Sequence, residues 1–104
     1  MKLETENGAT IKNPSSAQIE DALRKLADGG GGFAILSQDE MTYLQAAGNR
    51  AGGFVVEYQD GDVDSHFEAT QGAVPLGDLE KAFRLYAMGD AGWKSMFEWQ
   101  AIEI

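Results

Sequence analysis

The chain contains no cysteine, only two prolines and a single histidine. Without cysteine there can be no disulfide, no thiolate metal ligand and no thiol nucleophile, so stability has to come from packing. That absence agrees with a reducing compartment, and the expected location is cytoplasmic. No apolar run approaches the roughly 20 residues that a membrane helix needs. The opening residues, Met1 to Glu6, turn acidic at once and have no apolar stretch, so they are not expected to act as a secretory signal. Basic residues are also scarce: eight Lys and Arg stand against 17 Asp and Glu, for a formal charge of −9. Such a field repels phosphate backbones and anionic lipid, which argues against nucleic acid and membrane partners. It favours encounter with a basic protein, and it also serves solubility alone.

What remains is an ordinary globular composition. At 104 residues and 43% hydrophobic content, the chain suits a single domain with one core. Residues 1–13 are polar with scattered apolar positions and read as a loosely ordered arm, with at most a short edge strand at Thr10–Lys12. A well-marked helix follows. Ser15 and Gln18 form a capping box after Asn13-Pro14, and Ile19, Ala22, Leu23 and Leu26 recur as one apolar stripe. Glu20–Arg24 and Asp21–Lys25 have favourable spacing on the wet face. Asp28-Gly29 ends the helix, and a run of glycines continues to Gly32. That run follows a helix, opens a strand and lacks a Lys-Ser/Thr behind it, so it reads as a connection and not as a phosphate loop.

Strands are expected at Phe33–Ser37, Met41–Ala47, Phe54–Tyr58 and Ser65–Ala69, a four-stranded antiparallel meander. Asn49, in the loop from Gly48 to Gly52, is a candidate for positive φ. Gly61 suits the tight turn between the last two strands, and Asp60, Asp62 and Asp64 suit its flanks. These aspartates do not make a calcium loop, because its required sixth-position glycine and twelfth-position glutamate are replaced by Ser65 and Gln71. A second helix starts at Gly77 or Asp78, with Leu79, Ala82, Phe83 and Tyr86 as its buried stripe, Glu80–Arg84 on its exposed face and Gly89 as its cap. The tail reads as one helical turn at Trp93 and then a strand from about Phe97 to Glu103. The expected fold is therefore α+β: an antiparallel sheet, meander plus C-terminal strand, with two helices packed on one face.

Period-two alternation puts Phe54, Val56 and Tyr58 on the core face of the central hairpin. Glu57, His66 and Glu68 then share the opposite, polar face. A histidine beside two carboxylates is the one constellation with chemical potential here, as a metal or small-molecule site. It lacks further convergent ligands, and cross-strand His–Glu pairs are common on solvated sheets, so a structural or interaction role is the favoured reading. No catalytic residues, metal site or cofactor are expected. Tyr43, Tyr58, Tyr86, Trp93 and Trp99 are core candidates by periodicity, although Tyr and Trp also anchor binding surfaces. Candidate binding residues are thus Glu57, Tyr58, His66 and Glu68 on the hairpin, with Asp90 and Trp93 in the loop that follows the second helix.

The segments Tyr43-Leu44-Gln45-Ala46-Ala47-Gly48, Gly53-Phe54-Val55-Val56-Glu57-Tyr58, His66-Phe67, Phe83-Arg84-Leu85-Tyr86, Gly89-Asp90 and Trp93 through Trp99 carry a resemblance. Over roughly Ser15 to Trp99 the chain resembles the small immunity proteins of bacterial polymorphic-toxin systems. The resemblance implies a cytosolic, non-enzymatic protein that binds and blocks a cognate toxin domain, with Glu57, Tyr58 and His66 as the first positions to test. The expected function is an acidic inhibitory binding module. The alternatives are a metal- or small-molecule-binding domain using His66 with Glu57 and Glu68, and a domain that self-associates, as a homodimer for instance, through a sheet edge.

Overall fold

A computed structural model describes residues 1–29 and 32–102. Its strands are β1 (Lys2–Thr5), β2 (Thr10–Lys12), β3 (Phe33–Asp39), β4 (Thr42–Asn49), β5 (Gly53–Asp60), β6 (His66–Ala69) and β7 (Trp99–Ala101). Its helices are α1 (Ser16–Asp28), α2 (Leu76–Ala87) and the single turn α3 (Gly92–Ser95). The strands form one antiparallel sheet in the order β2-β1-β3-β4-β5-β6-β7. The architecture is the expected α+β type, with the meander and the C-terminal strand in place.

The sheet is wider than its sequence signals suggest. The segment expected as a loose arm folds into the β1–β2 hairpin, and β1 lies inside the sheet between β2 and β3. Leu3 is the reason: it pairs with Leu36 and is buried in the core at 1% exposure. One apolar residue among Lys2, Glu4 and Thr5 is too little pattern to announce a strand, yet each strand face needs only its own alternate positions filled.

Both long helices pack on the same side. Ser15 caps α1 as expected, accepting from the Gln18 backbone N–H at 3.1 Å while the Gln18 side chain accepts from the Ser15 backbone N–H at 2.9 Å. Ile19, Leu23 and Leu26 bury themselves, and Ala22 is half-buried beside them. On α2 the whole anticipated stripe is buried: Leu79, Ala82, Phe83 and Tyr86. These side chains meet Leu36, Leu44, Ala46, Phe54, Val56 and Tyr58 from the sheet in one core. The wet-face pairs of α1 form, but Glu80 bridges across to Arg24 at 3.4 Å instead of pairing along α2 with Arg84. The second helix also begins earlier than expected, at Leu76, straight after Pro75, which suits a helix start because proline lacks the N–H a helix would leave unpaired there.

Positive φ falls on Gly48 and Gly53 around the β4–β5 turn, not on Asn49. At Gly53 two constraints coincide: φ is 78°, and a Cβ would lie 2.8 Å from Ala73. The close approach lets Phe54 exchange backbone hydrogen bonds with Val74, at 3.0 and 2.9 Å, which ties the chain beyond β6 back to the sheet. The anticipated connection at Gly29–Gly32 lies partly outside the described residues.

Candidate functional site

The helices leave the other face of the sheet without a covering element among the described residues. Register brings Tyr43 opposite Gln59, Gln45 opposite Glu57, Glu57 opposite Glu68 and Gln59 opposite His66 on that face. These six residues of β4, β5 and β6 are therefore cross-strand neighbours, and the alternation rule placed Glu57, His66 and Glu68 together correctly.

Depth is where expectation and structure part. His66 was read as part of a solvated face, but it is only 2% exposed, and Gln59 beside it only 4%. No helix covers them; their neighbours do. The Tyr43 ring stands edge-on to the imidazole with centroids 6.0 Å apart. The two imidazole nitrogens face Glu57 Oε1 at 2.8 Å and Gln59 Oε1 at 3.2 Å. Gln45 Nε2 donates to the other Glu57 oxygen at 3.2 Å, and the Tyr43 hydroxyl donates to Gln59 Oε1 at 3.3 Å.

The orientation of this chain of contacts is fixed at one end. Gln59 Nε2 donates to the Met41 carbonyl at 3.1 Å, so its oxygen must be the atom turned toward His66 and Tyr43. Both imidazole nitrogens then face acceptors, a carboxylate at 2.8 Å and an amide oxygen at 3.2 Å, and the N–H that the ring carries donates to one of them. Burial, and then the Glu57 charge, push the Tyr43 phenol above its ordinary value, which keeps it an O–H donor.

The remaining candidates are dispersed. Glu68 is half-buried on the same face, but its hydrogen bond comes from Gln100 at 3.4 Å and not from the His66 group. Tyr58 and Trp93 are on the helix side, 9% and 7% exposed, so neither belongs to the open face. They join Tyr86 and Trp99 in a cluster of edge-to-face rings whose centroids are 4.7 to 5.9 Å apart. Asp90 is exposed and accepts from the Gly92 backbone at 2.8 Å, holding the turn before α3. Gln45, Gln59 and Tyr43 are the site residues that sequence reading missed: Tyr43, a core candidate, is half-buried on the open face, and β5 runs past its expected end at Tyr58 to carry Gln59 onto the same face, positions that period-two alternation along β4 and a longer β5 would mark.

Among the described residues no group of three or more histidines, aspartates or glutamates is arranged to hold a metal ion. No helix of the described residues is long and apolar enough to cross a membrane. Comparison of the chain with protein-family models, with characterised proteins and with solved structures finds no match.

Proposed function

We propose that the chain is a non-enzymatic binding module that meets a basic protein partner through the open face of its sheet. The observation that carries this reading is the hydrogen-bonded set Tyr43–Gln59–His66–Glu57–Gln45, built on a face that no helix of the described residues covers. Side chains already locked by their neighbours lose little rotamer freedom when a partner lands on them, which favours affinity. Beside them lie half-buried Ile35, opposite Gln45, and half-buried Val55, two positions before Glu57 on β5, so the surface mixes apolar and polar contacts as binding faces do. The formal charge of −9 gives long-range attraction toward a cationic surface.

The resemblance to immunity proteins narrows the partner to a toxin domain, and with it the location to the cytoplasm where such a toxin would act. In this reading His66 orients Glu57 and Gln59 and does not itself touch the partner. The alternative use of His66 as a metal or small-molecule ligand would require moving Glu57 or Gln59 away from the ring nitrogen that each of them faces.

The test is co-purification with a toxin domain encoded beside this chain, followed by titration of face variants. Glu68→Lys and Val55→Arg should each weaken binding at least tenfold with an unchanged thermal transition. Full affinity in the folded double variant would remove this face as the contact surface.

A further inference from the structure

The opposite side of the sheet carries a second feature, independent of the open face. A pocket of about 210 Å³ lies where the hairpin ends of the sheet meet the C-terminal end of α2 and the α3 turn. Its walls include Tyr58 and Trp93, its rim includes Gln38, Thr42 and Asp60, and Tyr86 lines it from α2. A cavity of roughly 150 Å³ already accepts a benzene ring, so the space suits one small planar group.

Three observations give this pocket a chemical preference. First, the Tyr86 hydroxyl is buried and meets no hydrogen-bond partner among the described residues; the Gln38 side chain is nearby without completing a hydrogen bond. An unpaired buried hydroxyl is costly, and a ligand bearing an N–H would satisfy it. Second, the electrostatic surroundings favour a cation. Asp60 is on the rim, Asp39 adds its charge, and the C-terminal carbonyls of α2 point their negative end at the same region. Third, the chain already places a cation there. The Lys94 ammonium hangs 5.3 Å from the Tyr58 ring centroid and 5.5 Å from that of Trp93. Lys94 is exposed and forms no ion pair among the described residues, so those rings are what hold it.

We infer that this pocket is a guanidinium site, in which a planar cation stacks on one of the Tyr58 and Trp93 rings, meets the other at an angle because the two rings stand at 80°, donates to Asp60 and Tyr86, and displaces Lys94 as it enters. Guanidinium suits the site better than a second ammonium. It is less strongly hydrated, it stacks on aromatic faces, and its several donors in one plane match acceptors spread around a rim. The source is either a free guanidino compound or an arginine side chain of a protein.

NMR titration of the full chain with N-acetyl-arginine methylamide, at constant ionic strength, tests the site. Saturable shifts are expected at the Trp93 indole and the Tyr86 ring. Lys94→Met, which removes the resident cation, should tighten binding roughly twofold to fivefold, the worth of an exposed cation–π contact. Asp60→Asn should weaken it about threefold, and Glu68→Lys on the other face should leave it unchanged. A peptide with arginine flanked by neutral residues separates the two sources: tighter binding than the amide assigns the pocket to a protein, equal or weaker binding to a small molecule. The inference is overturned if neither the native chain nor Lys94→Met gives saturable shifts. It is equally overturned if the shifts persist undiminished in Asp60→Asn. Full toxin affinity in the folded Glu68→Lys and Val55→Arg double variant, with these shifts intact, would sink the open-face reading alone.

Discussion

Replacing His66 with leucine, alone and together with Glu57→Ala, asks whether the hydrogen-bonded set on the open face is an energetic unit. His66 makes two contacts, to Glu57 at 2.8 Å and to Gln59 at 3.2 Å. A hydrogen bond to a charged group is worth about 1.5–3 kcal/mol, and one between neutral groups about 0.5–1.5 kcal/mol. The Glu57 side chain is 21% exposed, so water recovers part of its loss and the lower end of the first range applies. Gln59 keeps its bond from Tyr43, which limits the second loss. Leucine fills most of the imidazole space, so the cavity contribution is small. His66→Leu should therefore cost about 2–3 kcal/mol. Glu57→Ala should cost about as much, because it strands an N–H of a side chain that is only 2% exposed. The pair should lose less than the sum by about 1–2 kcal/mol. Urea denaturation measures this if the slope with denaturant stays constant across the four proteins. A coupling below about 0.5 kcal/mol would refute the reasoning: the face would then be ordered by its backbone, and His66 would merely occupy space.

Four further outcomes are expected. Gly53→Ala combines a positive φ with a Cβ 2.8 Å from Ala73, and should cost about 2–4 kcal/mol from backbone strain and overpacking, read by denaturant midpoint. Leu3→Ala removes a side chain that is 1% exposed, and should cost about 2–4 kcal/mol; a surface-like effect would show that β1 is not part of the cooperative fold. Ser15→Ala removes the N-cap bond at 3.1 Å and should cost about 1 kcal/mol, a fall of roughly 4–8 °C in thermal midpoint. Tyr86→Phe should leave stability at neutral pH unchanged or slightly higher, since the hydroxyl has no partner to lose. Burial holds the Tyr86 phenol up at about 12, above its unfolded value, so its contribution is fully present below pH 10 and is lost as pH rises from there toward 12. The phenylalanine variant should show a shallower alkaline loss in the same window.

Local rules made much of this fold legible. The α1 cap, the buried stripe of α2 and the face assignment of β5 each follow from residues within one or two turns or strands of each other. What escaped reading depends on contacts between distant segments. β1 exists because Leu3 finds Leu36 across 33 positions of chain, and Lys2-Leu3-Glu4-Thr5 carries no signal of that pairing. Glu80 prefers Arg24 because α1 and α2 are neighbours, which helical spacing along α2 alone cannot reveal. Alternation told which face His66 occupies but not its depth, since depth was decided by the size of Tyr43 and Gln59 in the exact register of the β4–β5 and β5–β6 pairs. The Tyr86 pocket is assembled from β3, β4, β5, α2 and α3, and no single stretch announces it.

The two faces of the sheet are mechanically joined at one residue. Gln59 turns its side-chain oxygen toward Tyr43 and His66 on the open face, while its amide nitrogen donates to the Met41 carbonyl at 3.1 Å. The Gly61 backbone N–H donates to that same carbonyl at 3.0 Å. Asp39 Oδ1 in turn accepts from the Met41 N–H at 2.8 Å. The β3–β4 turn is thus clamped to the start of the β5–β6 turn by a carbonyl with two donors, and these turns carry Gln38, Thr42 and Asp60 to the rim of the pocket on the helix side. An open-face set that lost its order would free the Gln59 amide, and the rim of the pocket would lose one of its two fixings. Burying a histidine among amides on a face with no covering helix therefore serves the far side of the sheet as well: it holds still the acidic end where a cation would enter.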